Sequence, residues 1–246
     1  MNATLRLTFL GSGNAFTAGG RYWSGFLANG RYLFDAPPTL LPHLKRLGAA
    51  PAALRVVFLT HVHGDHFLGL PFLLLEYGYL TQRREDLVII GPPGVQEVVE
   101  DLTERVFPGL AARQMGYRRL YVEAAPGQDQ QAADVTFCAL PMYHAPGKLN
   151  AYGYRVHIGG RAVAYTGDTM YCPEIAELAR GADALVVDAT YATAGPEHMG
   201  LEDVRRLRSQ VDRTTAIVLT HLEAEPAIDP DEGLLVAHDF ATFVFP

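Results

Sequence analysis

Cysteine is nearly missing from this sequence. Cys138 and Cys172 are the only two in 246 residues, and no CxxC or CxH pattern surrounds either. Two thiols cannot build a disulfide framework, so the chain must rely on a hydrophobic core, where both are expected to sit. Long apolar runs are also missing. Nothing approaches the ~20 apolar residues of a membrane-spanning helix. The opening "MNATLRLTFLGSGNAF" has no basic stretch leading into a long apolar segment and a small-residue cleavage site, and it reads as a first strand. A cytoplasmic protein with no membrane partner is expected. Positive charge is scarce: 20 Lys and Arg stand against 27 Asp and Glu, a net charge of −7. Such a chain repels polyanions unless a basic patch is concentrated locally. The candidates are thin: Arg83 with Arg84, Arg118 with Arg119, and Arg205, Arg206 and Arg208 on a probable helix. A long nucleic acid is therefore not the expected partner. There is no low-complexity segment or Ser/Gly linker, so residues 1–246 read as one domain.

What is present is a sizeable core, 49% apolar residues, in strand-like runs that alternate with helix-like ones. "YWSGFLANGRYLFDA" reads as a hairpin around Asn29-Gly30. "PPTLLPHLKRLGA" is a helix entered through prolines and closed by Gly48, and "FLGLPFLLLEYGYLTQ" is a mostly apolar helix despite Pro71. "LRVVFLT", "DLVIIGP", "ADALVVDAT" and "TTAIVLT" are buried strands by their continuous apolar, β-branched character. "YRRLYVEAA", "DVTFCALPMY", "AYGYRVHI" and "RAVAYTG" follow one another as strands, and "GLLVAHD" and "FATFVF" close the chain. The sheets need helices to cover them, which gives α/β/β/α or α/β/α layers. "VVFLTH" at 56–61 echoes "AIVLTH" at 216–221, which fits two similar halves.

The strongest chemical signal is "LTHVHGDHFLGL", where His61, His63, Asp65 and His66 fall within six residues. Imidazole and carboxylate suit zinc, and also manganese or iron. In extended chain His61 and His63 point the same way, and Gly64 permits the turn that brings Asp65 and His66 round as a helix begins. One loop thus offers two ligand pairs to two neighbouring sites. Three further candidates share one grammar, an apolar strand with a ligand just beyond its C-terminal end. "TFCALPMYH" delivers His144, "RAVAYTGD" delivers Asp168 and "TTAIVLTH" delivers His221. Ligand sites of α/β sheets gather at such strand ends.

These motifs, in this order and across nearly the whole chain, resemble the metallo-β-lactamase superfamily. The resemblance implies an αββα sandwich of two similar halves with the metal site at one edge of the sheets. It implies two divalent metals, zinc favoured and manganese possible. One would take His61, His63 and His144, the other Asp65, His66 and His221, with Asp168 shared. His63 stands where the flavodiiron branch has glutamate, which argues for hydrolysis rather than iron redox chemistry. "LTFLGSGNAF", "AYGYRV…GGRAVAYTGDT" and "VVDATYA…EHMGLEDV" look like the RNase Z and short phosphodiesterase group, including the cyclic phosphodiesterases of phosphonate operons. The match places His198 where that group has a histidine thought to protonate the leaving alkoxide. A possible homodimer is implied by the same likeness alone.

The departures carry information too. No tRNA-gripping basic arm is inserted between Asp168 and Asp188. Asp188 stands where the family often has glutamate, and could orient His198. Asp35 is expected to support the metal loop. The expected function is hydrolysis of a small nucleotide or cyclic phosphodiester, with Asp65 and His198 catalytic. Hydrolysis of a carboxylic ester, lactone or thioester by the same centre is the alternative, and a metal-stabilised scaffold a third reading. His43 is expected on the surface, His157 as a satisfied sheet residue, and His238 as an ordinary polar residue, with an approach to the site rim as its alternative. "GSGN" at 11–14 could line the cleft, and Tyr22 and Trp23 are expected to pack in the hairpin.

Overall fold

The alternation of apolar and polar runs resolves, in the computed structural model of residues 4–246, into two sheets. The first half of the chain supplies β1 (Leu5–Gly11), β2 (Gly25–Ala28), β3 (Tyr32–Phe34), β4 (Val56–Phe58), β5 (Leu87–Gly91) and β6 (Arg119–Glu123). The second half supplies β7 (Asp129–Ala132), β8 (Val135–Pro141), β9 (Tyr152–Ile158), β10 (Arg161–Tyr165), β11 (Ala184–Asp188), β12 (Ala216–Thr220) and β13 (Leu234–Val236). A last strand, β14 (Thr242–Phe245), crosses back to pair with β1.

The two sheets have the same internal pattern. In order they run β14-β1-β2-β3-β4-β5-β6 and β7-β8-β9-β10-β11-β12-β13. In each, the first three pairings are antiparallel and the last three parallel. The two halves are therefore similar in topology. The echo of "VVFLTH" and "AIVLTH" is not the register of that repeat, because β4 is fifth in its sheet and β12 sixth.

Side-chain alternation distributes the core into three layers of contact. Val56 and Phe58 of β4, Phe26 of β2, Val186 of β11 and Val218 of β12 point inward, where the sheets pack face to face. Their neighbours Val57 and Leu59 point outward to α1 (Leu40–Arg46), α3 (Leu70–Tyr79) and α4 (Val95–Val106). Leu185 and Val187 point outward to α5 (Glu174–Leu178) and α6 (Leu201–Arg208). A strand covered on both faces must be apolar on both, which is why these segments read as unbroken hydrophobic runs. The result is an αββα sandwich. No helix among the described residues is long and apolar enough to cross a membrane.

Several local expectations need correction. The apolar helix read from "FLGLPFLLLEYGYLTQ" is two: α2 (Gly64–Phe67) and then α3, broken at Leu68 and Gly69. Gly69 donates its N–H to Ala36 O, and a Cβ there would lie 2.1 Å from Pro37 O, so the chain kinks to pass that backbone. β7 ("DQQA") has no apolar pattern to mark it as a strand; it forms because β8 offers its edge. His43 is buried, at 5% exposure, rather than on the surface. The rings of Tyr22 and Phe240 cover it at 4.5 and 4.9 Å, and Phe240 belongs to a segment distant in sequence. Tyr22 thus packs outside the hairpin, while Trp23 donates its indole N–H to Ala15 O. The hairpin itself forms as read, with Asn29 and Gly30 both at positive φ (50° and 68°). His157 lies on β9 with its side chain exposed. Cys138 and Cys172 are both buried and free.

Candidate metal centre

Six strands end at this site. Asp35 follows β3, the residues 61–66 follow β4, His144 follows β8, Asp168 follows β10, Asp188 ends β11 and His221 follows β12. His61 and His63 come to the same side, their ring centroids 4.8 Å apart and His63 in extended backbone, and α2 then turns Asp65 and His66 back toward them. Gly167, at φ +58°, lets the chain pass Thr60, whose side chain a Cβ would meet at 2.6 Å; this delivers Asp168 to the centre.

Asp168 is the hub. Its Oδ2 lies 3.3 Å from His66 Nε2, 3.4 Å from His221 Nε2, 3.7 Å from His61 Nε2 and 3.8 Å from His144 Nε2. Two donor sets share it: His61, His63, His144 and Asp168, and Asp65, His66, Asp168 and His221. Within each set the ligand atoms lie within 4.8 Å of one another. Asp65 Oδ2 is 3.2 Å from His66 Nε2 and 3.5 Å from His221 Nε2, and His63 Nδ1 is 3.1 Å from His144 Nε2.

The hydrogen bonds around the rim fix which nitrogen of each ring faces inward. The Thr60 hydroxyl donates to Asp35, so its oxygen accepts from His61 Nδ1 at 2.9 Å. His66 Nδ1 donates to Asp35 Oδ2 at 2.8 Å. The Thr190 hydroxyl donates to Asp188 Oδ1 at 2.7 Å and accepts from His221 Nδ1 at 2.8 Å. His144 Nδ1 donates to the carbonyl of Glu197 at 2.9 Å. In all four rings the proton is thereby assigned to Nδ1, and Nε2 presents a lone pair to the centre.

Three of those inward nitrogens are left unpaired, together with one oxygen of Asp168. His61 Nε2, His66 Nε2, His221 Nε2 and Asp168 Oδ1 are buried and have no hydrogen-bond partner among the described residues. Each such atom costs roughly 1–3 kcal/mol. Three ring nitrogens converging on a carboxylate that itself has an unpaired oxygen, all electron-pair donors, fit divalent cations of the zinc type.

The electrostatics agree. Burial and the neighbouring imidazoles hold His61 well below its ordinary range, and burial with His144 lowers His63. Burial opposes charge on His66, but Asp168, Asp65 and Asp35 outweigh it and raise its pKa: the site draws positive charge to this point. Burial likewise opposes ionisation of Asp65 and Asp168, yet the surrounding histidines hold both well below the usual carboxylate range.

His198 sits beside the centre, its ring stacked on His221 with centroids 4.9 Å apart and Nδ1 2.8 Å from Asp188 Oδ2. Asp188, Asp168, His198 and His221 also form a close donor group. The Asp188 carboxylate is spent, however: it accepts from Thr169 N, Thr190 N, Thr190 Oγ1 and His198 Nδ1. The group therefore reads as a support for His198 and His221 rather than a further cation site.

Every residue expected at the centre is brought there. His238 lies apart from the centre, exposed and 3.8 Å from Glu225, as expected of an ordinary polar residue. Ser12 of "GSGN" is fully buried and bonded to Asp239 and Arg21. Arg205 pairs with Glu232, Arg208 is bound to backbone carbonyls, and Arg206 lies over the Tyr171 ring at 4.3 Å. Sequence reading missed Thr60, Thr190, Tyr165 and the Glu197 carbonyl. The threonines had a signal, in the adjacent "TH" at 60–61 and in the "DAT" turn at 188–190.

An αββα sandwich whose strand ends gather a histidine- and aspartate-lined centre defines a class of metal-binding proteins, and the comparisons identify which. The family described as Beta-lactamase superfamily domain matches residues 30–222. A ribonuclease Z of Mycobacterium bovis (strain BCG / Pasteur 1173P2) is 30% identical over 260 residues, covering 93% of this chain and 89% of that protein. The crystal structure of human tRNase Z, short form, superposes with a TM-score of 0.77 at 21% identity, covering 98% of this chain and 99% of that one. That of a diphosphatase from the PhnP family superposes with a TM-score of 0.72 at 21% identity, covering 97% of both. The chain belongs to the β-lactamase superfamily, in its ribonuclease Z-like branch.

Proposed function

We propose that the chain is a metal-dependent phosphodiester hydrolase with a two-metal centre, acting on a small nucleotide or cyclic diester. The observation that carries this reading is the convergence of four unpaired inward atoms on and around Asp168. His61, His63 and His144 would hold one divalent ion, and Asp65, His66 and His221 the other, with Asp168 common to both. Zinc is favoured by the nitrogen-rich donors, and manganese is the second choice. Ions bound there supply Lewis acidity to the phosphoryl oxygens and activate water at neutral pH. The ribonuclease Z relative favours the phosphodiester over carboxylic ester, lactone or thioester substrates.

Asp65, kept ionised, orients the attacking water. His198 holds a proton against the leaving oxygen. Burial opposes its charge, but the hydrogen bond and charge of Asp188 and the charge of Asp168 raise its pKa to about 9. With Nδ1 bonded to Asp188, Nε2 is the nitrogen left to donate. A sugar alkoxide leaves poorly, and such an acid contributes roughly 10²–10⁴-fold.

A small substrate is supported by the rim. Exposed Glu223 lies two residues beyond His221, and the chain carries −7 overall, which repels a long polyanion. Between β10 and β11 the only helix is α5. The test is hydrolysis of bis(p-nitrophenyl) phosphate and a 2′,3′-cyclic nucleotide by metal-loaded protein, beside His198→Ala. Turnover of both, with the variant losing mainly the cyclic substrate, is expected. No diester turnover with two metals bound per chain would overturn the reading and send the search to lactones and thioesters.

A further inference from the structure

Two adjoining cavities lie at the far end of α3. That helix leaves the histidine loop at Leu70 and ends at Tyr79, about 15 Å along at the ordinary helical rise. The first cavity, about 370 Å³, is lined by Arg83, Arg84, Arg113, Gln82 and Gln114 among others, with no carboxylate. The second, about 460 Å³, shares Arg113, Gln114 and Met115 with it and adds Tyr117, Arg119 and Tyr121. Its one acid, Glu100, is taken up by Arg119 (2.7 and 3.0 Å) and by the Tyr121 hydroxyl (2.6 Å). In a chain of net charge −7, this concentration of arginine stands apart.

The floor is built rather than merely charged. Arg83 is 3% exposed, its guanidinium lying 5.2 Å from the Tyr77 ring and 5.3 Å from that of Tyr117. Nη1 donates to Ala52 O at 3.1 Å and Nη2 to Asp86 O at 2.8 Å. Arg83 Nε and the Tyr117 hydroxyl, on a side chain 9% exposed, are buried donors with no partner among the described residues. Arg113 is fixed at the rim by its bond to Gly78 O (3.2 Å) and by Tyr79, 4.4 Å beneath its guanidinium. Arg84 is exposed beside it.

We propose that these cavities form a second, non-catalytic binding site for a mononucleotide. The phosphate would sit in the first cavity, where planar guanidinium donors match its oxygens. The base would sit in the second, against Tyr117, Tyr121, Gln96 and Gln114, which offer aromatic faces and amide hydrogen bonds. The inference stands independently of the function proposed for the metal centre.

Calorimetric titration of the metal-loaded protein tests it, with adenosine monophosphate, inorganic phosphate and a short RNA as probes. The proposal expects a class of mononucleotide binding that persists in Asp168→Asn, which disables the metal centre. That class should weaken at least 10-fold in the double variant Arg84→Gln/Arg113→Gln, whose side chains are exposed and whose diester hydrolysis should match wild type. Phosphate alone should bind the same site more weakly. A single class that vanishes in Asp168→Asn and ignores the arginine substitutions would overturn the proposal. So would binding confined to the RNA.

Discussion

The Nδ1 of His198 and the Oδ2 of Asp188 lie 2.8 Å apart, joining a loop histidine to the end of a buried strand. The same carboxylate anchors Thr190, which in turn anchors His221. Asp35 does the equivalent on the other side, holding Thr60, His66 and the Tyr165 hydroxyl. Each half of the sandwich thus carries one buried aspartate and one threonine that set the rings of the centre.

Asp188→Asn should uncouple the proton donor, at some cost in stability because the buried carboxylate also accepts from Thr169 N and Thr190. We expect turnover of a 2′,3′-cyclic nucleotide to fall roughly 10²-fold, within the range for a lost general acid. Bis(p-nitrophenyl) phosphate, whose leaving group needs no proton, should fall much less. Metal content measured on the same samples separates this from loss of the His221 ligand. Equal losses on both substrates would place Asp188 in metal binding alone.

Removing metal should cost stability. An ion present at 100 times its dissociation constant contributes about 2.7 kcal/mol, which for a chain of this size is a Tm shift of about 5–10 °C. Calorimetry before and after chelation, and again after zinc is restored, checks it. Asp168→Ala should abolish the difference, because both donor sets lose their shared oxygen.

Asp35→Ala strips partners from Thr60 N and Oγ1, His66 Nδ1 and Tyr165 Oη at once, all buried. We expect about 3–5 kcal/mol of destabilisation by urea unfolding. Metal affinity should fall roughly 10–100-fold, since the rings lose their orientation.

Gly69→Ala places a Cβ 2.1 Å from Pro37 O and 2.8 Å from Leu40 Cβ. Neither can yield without moving α1, so a loss of about 1–3 kcal/mol is expected. Gly48→Ala, at positive φ but in open space, is the control for backbone strain alone. Similar losses for the two would show that the close approach is not the cause.

Glu76, buried on α3, accepts from Lys45 Nζ and Thr81 Oγ1, both at 2.8 Å. The bond to Lys45 holds its pKa below the ordinary glutamate value, though burial opposes this. A depressed folded pKa contributes stability that is complete above the unfolded value and is lost as pH falls through the folded one. Stability measured from pH 7 down to about pH 3 should therefore decline less steeply in Glu76→Gln than in wild type.

Most of the residues brought together at the candidate centre are legible in the sequence. His61, His63, Asp65 and His66 are legible because one turn carries them, and contiguity in sequence guarantees contiguity in space. His144, Asp168 and His221 are legible because each follows an apolar strand, and strand ends are where such sheets gather ligands. Continuous apolar runs such as "VVFL" and "ALVV" likewise announced strands buried on both faces. Tertiary structure alone decided the rest. The burial of His43 depends on Phe240, nearly two hundred residues away. The break at Gly69 depends on the backbone of Pro37, and β7 exists because β8 has an edge to pair. The tautomers of His61, His66, His144 and His221 depend on threonines, an aspartate and a carbonyl that meet them at Nδ1. Local periodicity fixes which way a side chain faces, but only long-range packing fixes what it faces.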